Sequence, residues 1–379
     1  MSEVFFAFLR LGLTSFGGPV AHIGYFHEAF VARRGWVRAD AYAAIVGFCQ
    51  FLPGPSSSQV AMALGLERAG WRGLIAAFIG FTLPSALLMA LFALFLERLG
   101  GAAEAPWVHG LKLAAVAVVA QALWLMARTL TPDMPRRALA LVAAAIALLL
   151  PGTPGQIGAI VLGAAAGALL LKAEASASSP MRVPWRAPLL LALFVLLLLA
   201  LPLLPSFGRE VALFEVFYRT GSLVFGGGHV VLPLLQGALV EPGWIGRDTF
   251  LAGYGAAQAM PGPLFSFAAF IGMALGGWPG ALLCLLAIYL PSLLLVAGGW
   301  PLWRAVSHRP GLRAALAGVN AAVVGLLAAA LYDPVITGAI RGWSDALIAG
   351  LALLLAFRVP FWLLVPACAL AAAFAAWLH

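Results

Sequence analysis

The chain has 379 residues, of which 63% are hydrophobic and only 9% carry a charge, with a net charge of +8. A soluble globular domain has about 25% charged residues, so this composition excludes an ordinary soluble enzyme, a disordered chain and a disulfide-rich scaffold. Because one membrane crossing takes about 20 apolar residues, the length allows roughly ten to thirteen membrane segments. The sequence therefore predicts an all-α polytopic membrane protein.

Apolar segments follow one another in a regular order along the chain. Short helices are predicted first and longer ones after them, at 4–16, 19–33, 40–52, 55–69, 73–96, 107–127, 138–150 and 156–172. A polar linker, Ala173 to Arg186, and one unpaired apolar segment at 187–204 come next. The same order then returns at 210–225, 228–241, 246–260, 263–276, 278–300, 314–331, 344–357 and 360–378.

The second half of the chain repeats the first. Collinear matches at an offset of 207 to 209 residues pair Phe16-Gly17-Gly18-Pro19 with Phe225-Gly226-Gly227-Gly228, Trp36 and Asp40 with Trp244 and Asp248, Pro53-Gly54-Pro55 with Pro261-Gly262-Pro263, and Pro84-Ser85 with Pro291-Ser292. Such matches indicate a duplication. They predict a first repeat at 1–172, a linker with one extra transmembrane helix at 173–208, and a second repeat at 209–379.

Charge and segment count predict how the two repeats are oriented. If the short segments form re-entrant hairpins, five crossings separate Phe16 from Phe225, and an odd number inverts the second repeat. With the N-terminus inside, 15 basic residues lie on the cytoplasmic side, four lie outside and three lie within segments. This asymmetry follows the positive-inside rule and favours inverted-topology repeats with broken, re-entrant helices. If each short segment instead crossed the membrane once, the excess of basic residues on the cytoplasmic side would be smaller, but the repeats would still be inverted.

Each repeat contains two predicted helix breaks, one at a run of glycines and one at Pro-Gly-Pro. A break leaves half-helix N-termini, which carry partial positive charge and bind anions. Unpaired backbone at membrane depth is tolerated where it lines a polar cavity, so paired breaks predict a substrate site between the repeats. The alternative is a kink between packed helices. The predicted substrate-binding glycines are Gly17, Gly18, Gly54, Gly226, Gly227 and Gly262.

Polar side chains beside the breaks complete the predicted site. Arg10 and Arg219 occupy equivalent positions in apolar segments, where guanidinium suits a tetrahedral oxyanion; snorkelling to the interface is the alternative. The other candidates for substrate binding are Gln50, Gln258, Ser56 and His229, with helix capping as the simpler role for Ser56. His22 and Glu215 are candidates for proton coupling, although packing is the more usual role of a lone histidine and an ion pair with Arg219 is the simpler role for Glu215. Asp40 and Asp248 are predicted to cap helices.

Several chemistries are absent from the sequence. No P-loop and no His-Glu-x-x-His motif occur, and Cys49, Cys284 and Cys368 are far apart. No metal site and no cofactor are expected, therefore. Nucleic-acid binding is also not expected, since no basic run exceeds two adjacent residues. The N-terminus lacks the basic region of a signal peptide, so it is predicted to be mature sequence.

The glycine runs and the Pro-Gly-Pro segments, in this order and duplicated, resemble the chromate ion transporter family in its two-domain form. The resemblance is strongest at 5–96 and 213–300. It implies a secondary transporter in the cytoplasmic membrane that expels chromate, is driven by the proton-motive force and confers chromate resistance. The second repeat has Gly228 where the first has Pro19, so the two half-sites are not equivalent.

Three alternatives stay open beside chromate export. A sulfate-like anion permease is the nearest, because sulfate and chromate share shape and charge. An intramembrane enzyme would need paired carboxylates or histidines within the membrane, which the repeats do not share. A passive channel would show no dependence on a proton gradient. Alternating access is expected to come from one repeat rocking against the other, and the lipid bilayer is the expected surrounding; a homodimer is left open.

Overall fold

The computed structural model describes residues 1–16, 18–98, 105–150, 153–171, 185–204, 208–225, 230–306 and 310–377, and these residues contain helices and no strand. The helices of the first repeat are α1 (Ser2–Thr14), α2 (Gly18–Phe26, continued by a π-helix His27–Arg33), α3 (Ala39–Phe51), α4 (Ser56–Arg98), α5 (Pro106–Leu130), α6 (Met134–Leu149) and α7 (Thr153–Leu170). The unpaired helix α8 is Arg186–Ala200, followed by a 3-10 turn Leu201–Leu203.

The helices of the second repeat follow the same order. They are α9 (Arg209–Leu223), α10 (Val231–Leu235, continued by a π-helix Gln236–Val240), α11 (Arg247–Ala259), α12 (Phe267–Val306, preceded by a 3-10 turn Leu264–Ser266), α13 (Pro310–Ala330, continued by a π-helix Leu331–Ile336), α14 (Thr337–Ala339), α15 (Trp343–Ala356) and α16 (Phe361–Trp377). The predicted segments are therefore confirmed, except that the segment predicted at 314–331 runs on to Ala339.

Five of the described helices are long and apolar enough to cross a membrane. They are Ser56–Arg98, Pro106–Leu130, Arg186–Leu203, Leu264–Trp303 and Arg313–Ala339. Shorter apolar helices accompany them, and large apolar side chains such as Leu169 and Leu354 are 84% and 72% exposed. An outer surface of this kind suits hydrocarbon, so the chain is an all-α multi-pass membrane protein.

The short helices of the first repeat are arranged as hairpins. The Phe8 ring of α1 lies 4.7 Å from the Phe30 ring beyond α2, so these helices run side by side after the break at Ser15. At the open end Arg68 Nη2 lies 3.3 Å from Glu3 Oε2, and the Arg68 guanidinium covers the Trp36 ring at 5.2 Å. Both hairpins therefore begin and end at one face. Their first arms, α1 and α3, have 13 residues each and span about 20 Å, less than a bilayer core of about 30 Å.

The kinks of α4 and α12 show that the sequence repeat is also a structural repeat. Gly70 has φ +60° and ψ −150°, and Gly277, which is 207 residues further on, has φ +61° and ψ −154°. Each kink folds the helix into two arms that lie in close backbone contact. In the first repeat a Cβ on Gly73 would overlap the carbonyl of Gly65, eight residues earlier. In the second repeat a Cβ on Gly272 would likewise overlap the Gly280 carbonyl.

The two repeats exchange their last helices. In the first repeat α5 packs on α11, α15 and α16 of the second, and α13 of the second packs on α6 and α7 of the first. Small residues permit this: a Cβ on Gly318 would overlap the Gly163 carbonyl, and one on Gly110 would overlap the Cys368 carbonyl. Close backbone approach at small residues is how membrane helices associate. Each repeat is therefore interleaved with the other, and rocking of whole repeats stays an expectation that this packing opposes.

Candidate functional site

The helix breaks of one repeat contact the breaks of the other. The Gly54 N–H donates to the Val224 carbonyl at 2.6 Å, and the Gly262 N–H donates to the Ser15 carbonyl at 2.8 Å. Gly54 and Gly262 are equivalent in the repeat, as are Ser15 and Val224, so the two hydrogen bonds are reciprocal. Each of these bonds between the repeats thus has its counterpart at the equivalent positions. The four broken hairpins therefore converge on one place in the protein.

Glycine is required at the Pro-Gly-Pro tips. Gly54 has φ +115° and Gly262 has φ +93°, backbone conformations that only glycine adopts readily. Space is lacking too, because a Cβ on Gly54 would lie 2.7 Å from Gln59 Nε2 and a Cβ on Gly262 would lie 2.9 Å from Ser85 Oγ. The helix before each tip ends in extended backbone and a new helix begins after it, as the sequence predicted. These tips bring backbone and polar side chains together where the two repeats meet.

His22 joins the first break of its repeat to the start of α4. Its Nε2 lies 3.2 Å from the Ser15 carbonyl, and its Nδ1 lies 3.3 Å from Ser57 Oγ. A carbonyl only accepts, so Nε2–H donates to it, while Nδ1 and the Ser57 hydroxyl share the second contact. The side chain is 1% exposed and stands edge-on to the Phe81 ring at 5.2 Å. The Ser15 carbonyl thus accepts from both repeats, from His22 and from Gly262.

A second group of buried polar side chains lies between α4 and α12. Gln59 Nε2 donates to the Pro53 carbonyl at 2.6 Å and contacts Ser292 Oγ at 3.1 Å, which links the two repeats. The Tyr289 hydroxyl faces the hydroxyls of Ser58 and Thr82 outside hydrogen-bond geometry. We call the connected set the central polar cluster; its members are Ser15, His22, Gly54, Ser57, Ser58, Gln59, Thr82, Ser85, Gly262, Tyr289 and Ser292.

Burial makes the central polar cluster unusual in this protein. Its polar side chains are at most 3% exposed, although the chain is mostly apolar. Within the described residues Ser15 Oγ, Ser58 Oγ, Gln59 Oε1, Thr82 Oγ1 and Tyr289 Oη have no hydrogen-bond partner. Buried polar groups are normally paired, and each exception asks for an explanation. A site that pairs these groups with a polar ligand explains them all at once.

The two predicted arginines lie in different surroundings. Arg219 is part-buried and bonded to Glu215, with Nε 2.5 Å from Glu215 Oε1, which is the ion pair foreseen for Glu215. It also lines a small cavity with Gln156 and Thr220. Arg10 is exposed, and its carbonyl accepts from the Thr14 hydroxyl. Neither guanidinium has a contact with the central polar cluster among the described residues, so equivalence in sequence did not produce equivalence in structure.

Some of the remaining predicted site residues are exposed, some are half-buried, and others lie outside the residues that the structure describes. Gln50 is exposed, Ser56 is half-buried, and Gln258 is half-buried with its Nε2 atom buried and unpartnered among the described residues. Gly18 begins α2 with φ +75°. Four of the predicted residues lie outside the residues that the structure describes: Gly17, Gly226, Gly227 and His229.

A buried ion pair links the repeats away from the central polar cluster. Lys112 of α5 is 1% exposed, and its Nζ lies 2.7 Å from Asp248 Oδ1 at the start of α11. Arg341 Nη2 lies 3.7 Å from the other Asp248 oxygen. The N-cap of α11 is Gly246 with no side-chain cap. The prediction that Asp248 caps this helix is therefore wrong; the carboxylate is turned toward Lys112 instead.

Sequence reasoning missed most side chains of the central polar cluster. Ser85 and Ser292 were seen only as repeat markers, and Tyr289 and Thr82 were not singled out. The available signal was weak: Ser85 and Ser292 each follow a proline inside a long apolar helix. Polar residues that recur at equivalent positions of both repeats, within long apolar helices, would have pointed to the cluster.

A helical multi-pass membrane protein, built from two structural repeats whose broken hairpins meet at a buried polar cluster, is a membrane transporter by architecture. The chain matches the family model for chromate transporters at residues 2–171 and again at 211–374. It therefore belongs to the chromate transporter family, whose members are transporters and not enzymes. One match precedes the helix α8 and the other follows it.

Several curated relatives cover most of the chain. The chromate transport protein of Pseudomonas aeruginosa is 30% identical over 341 residues, which is 87% of this chain and 80% of that protein. A probable chromate transport protein of Synechococcus elongatus is 29% identical, covering 86% of this chain and 82% of its own. An uncharacterized transporter of Methanocaldococcus jannaschii is 25% identical over 336 residues. No solved structure matches the chain.

Proposed function

We propose that this protein is a secondary transporter that exports chromate across the cytoplasmic membrane, driven by the proton-motive force. Membership of the chromate transporter family and relatives described as chromate transport proteins support the substrate. The observation that carries the site is the reciprocal pair of hydrogen bonds between the broken hairpins, Gly54 with Val224 and Gly262 with Ser15. The central polar cluster is the proposed place of binding, between the two repeats.

The chemistry of the central polar cluster suits a small oxyanion. Buried hydroxyls of Ser58, Thr82 and Tyr289 are donors for the four oxygens of a tetrahedral anion. The first turn of α4 contributes backbone N–H groups and the positive end of a helix dipole. A site made of neutral donors also holds an anion without a fixed cation that would prevent its release.

Arg219 is proposed to act beside the substrate path and not at its centre. It is bonded to Glu215 and lines a small cavity with Gln156. This placement suits a residue that binds the anion on its way in or out. Arg219 would then pair with the anion while it passes and with Glu215 at other times. Arg10, which is exposed, is proposed to contribute to the same path only at its mouth.

The repeats are proposed to be inverted with respect to the membrane. In the second repeat the Arg209 guanidinium covers the Trp244 ring at 6.0 Å, so its first hairpin also begins and ends at one face. The long arm of α4, then α5, α6, α7 and α8 separate the two sets of hairpins, which is an odd number of passes. If α6 and α7 formed another hairpin, the number would still be odd.

Cysteine labelling from the two sides of the membrane tests the inversion. Arg34 and Pro242 are equivalent in the repeat and exposed, and the three native cysteines are buried. Arg34→Cys is expected to react with an impermeant maleimide from the cytoplasmic side and Pro242→Cys from the opposite side. Labelling of both from the same side would show that the repeats are parallel.

The helix exchange restricts how access alternates. The packing of α5 among α15 and α16, and of α13 among α6 and α7, opposes motion of either repeat as a whole. We propose that the four hairpins, which carry the central polar cluster, move against the exchanged helices. The hairpins are short, and among the described residues two backbone hydrogen bonds join their tips between the repeats.

Flux into proteoliposomes tests the function as a whole. Purified protein is reconstituted, and uptake of radiolabelled chromate is measured with and without a pH gradient and with excess sulfate. Gradient-dependent uptake that resists sulfate is expected. Uptake that sulfate inhibits in equal measure would favour the sulfate-like permease, and uptake insensitive to any gradient would favour a channel. No chromate uptake under any of these conditions would refute the proposal.

A further inference from the structure

The central polar cluster contains one unpartnered atom of a different kind from the rest. Among the described residues its unpartnered side-chain atoms are four hydroxyls and the carboxamide oxygen of Gln59. A hydroxyl turns to donate or to accept, whereas a carboxamide oxygen only accepts. Gln59 is fully buried, so water does not satisfy this oxygen from the surface. A ligand that fits this place must therefore bring a hydrogen-bond donor.

The orientation of the Gln59 amide follows from its neighbours. Its nitrogen lies 2.6 Å from the Pro53 carbonyl, which only accepts, so the NH2 group and not the oxygen must be on that side. Ser292 Oγ, 3.1 Å from the same nitrogen, holds the group from the other repeat. An amide anchored at both contacts keeps its oxygen pointed away from Pro53 and Ser292.

We infer that the transported species is the singly protonated oxyanion, hydrogen chromate, and not the dianion. This inference rests on the proposed function. A fully deprotonated tetrahedral oxyanion has four acceptors and no donor, so it leaves Gln59 Oε1 unpaired and sets negative oxygen against it. Hydrogen chromate donates its one O–H to Gln59 Oε1 and accepts from the hydroxyls of Ser58, Thr82 and Tyr289.

The charge of the central polar cluster agrees with a monoanion. None of the ion pairs in the described chain includes a member of the cluster. The titratable groups in it are the His22 imidazole and the Tyr289 phenol; Arg219 on α9 is engaged by Glu215, and Arg10 on α1 is exposed. Burying one negative charge without a fixed cation is far less costly than burying two.

A donor on the substrate also separates chromate from sulfate. Hydrogen chromate loses its proton near neutral pH, whereas hydrogen sulfate and hydrogen selenate lose theirs only in acid. A site built to pair a substrate hydroxyl rejects analogues without it by up to about 10⁴-fold. In export the protonated species carries its proton outward with each anion, so the membrane potential, negative inside, and not the pH gradient drives this step, and neither His22 nor Glu215 needs to carry a proton.

The test is the pH dependence of KM in proteoliposomes with equal pH on both sides. Above the pKa of hydrogen chromate, KM for total chromate is expected to rise about tenfold per pH unit, while the maximal rate stays constant. Selenate at about a hundredfold excess is expected not to compete. A KM that does not change with pH, or competition by selenate, would overturn this inference and leave chromate transport intact. Absence of chromate flux at every pH would instead overturn the proposed function.

Variants separate the substrate proton from a protein proton. Gln59→Met removes the acceptor and is expected to reduce the KM rise to less than about threefold per pH unit and to admit selenate. Gln121→Met, the matched control, makes the same change at a glutamine outside the central polar cluster, whose Nε2 donates to the Ala356 carbonyl at 2.8 Å, and is expected to keep the wild-type slope. His22→Asn is also expected to keep it; loss of the slope in this variant would assign the proton to the protein. If Gln59→Met does not fold, the pH dependence of the wild-type KM and the selenate competition still decide whether the protonated anion is the transported species.

Discussion

The ion pair between Lys112 and Asp248 should respond very differently to removal of its two partners. The ammonium is 1% exposed, whereas the Asp248 side chain is 38% exposed and has Arg341 at 3.7 Å as a second neighbour. Removing the carboxylate leaves a buried charge without compensation. Removing the ammonium leaves a carboxylate that water and Arg341 still stabilise. The asymmetry follows from burial and not from the 2.7 Å distance, which both changes abolish.

The magnitudes follow from that burial. Breaking a fully buried pair costs about 3–5 kcal/mol, and the exposure of Asp248 places Asp248→Asn at the low end, about 3 kcal/mol. Lys112→Met fills the same space without a charge and should cost about 1 kcal/mol or less. The double variant should match Lys112→Met, because the buried charge that made Asp248→Asn costly is gone. The double-mutant cycle then gives a coupling of about 3 kcal/mol, equal to the cost of Asp248→Asn alone.

Unfolding in mixed micelles with increasing SDS measures these free energies. Glu28→Gln is the matched control, since Glu28 Oε1 is 2.8 Å from Arg33 but both side chains are more than half exposed. This control should cost less than about 0.5 kcal/mol. If Asp248→Asn and Lys112→Met proved equally costly, or if Asp248→Asn cost no more than the control, the argument from burial would be refuted.

Two further predictions concern glycines, each with a control. Gly262→Ala puts a Cβ on a residue with φ +93° and 2.9 Å from Ser85 Oγ, so it should abolish chromate uptake and destabilise the protein by about 1–3 kcal/mol. Its control, Gly276→Ala, lies at φ −156° in open space and should leave uptake unchanged. Gly318→Ala places a methyl against the backbone of α7 and should lower the unfolding free energy by about 1–3 kcal/mol, whereas Gly311→Ala, in open space, should raise it by about 0.5 kcal/mol. Normal uptake by Gly262→Ala, or equal stability of the two helix variants, would show that these contacts are not as tight as described.

Helix positions and helix breaks were determined by the sequence itself. An apolar run with no nearby polar partner forms a helix in lipid because the backbone must satisfy its own hydrogen bonds, and this depends only on local composition. The breaks at Gly54 and Gly262 are equally local, since glycine between two prolines permits a positive φ and ends the preceding helix. The repeat was visible because both copies kept this local chemistry.

Which helices meet was decided only by the tertiary structure. In lipid nearly every face of a helix is apolar, so hydropathy does not distinguish a packed face from an exposed one, and partners are chosen by close backbone approach at small residues. The contact of Gly318 with Gly163, and of Lys112 with Asp248, joins residues more than a hundred positions apart. The same holds for Gln59, whose amide is anchored by Ser292 of the other repeat. Arg10 and Arg219 show the limit most clearly, because equal positions in the repeat acquired different neighbours once the helices packed.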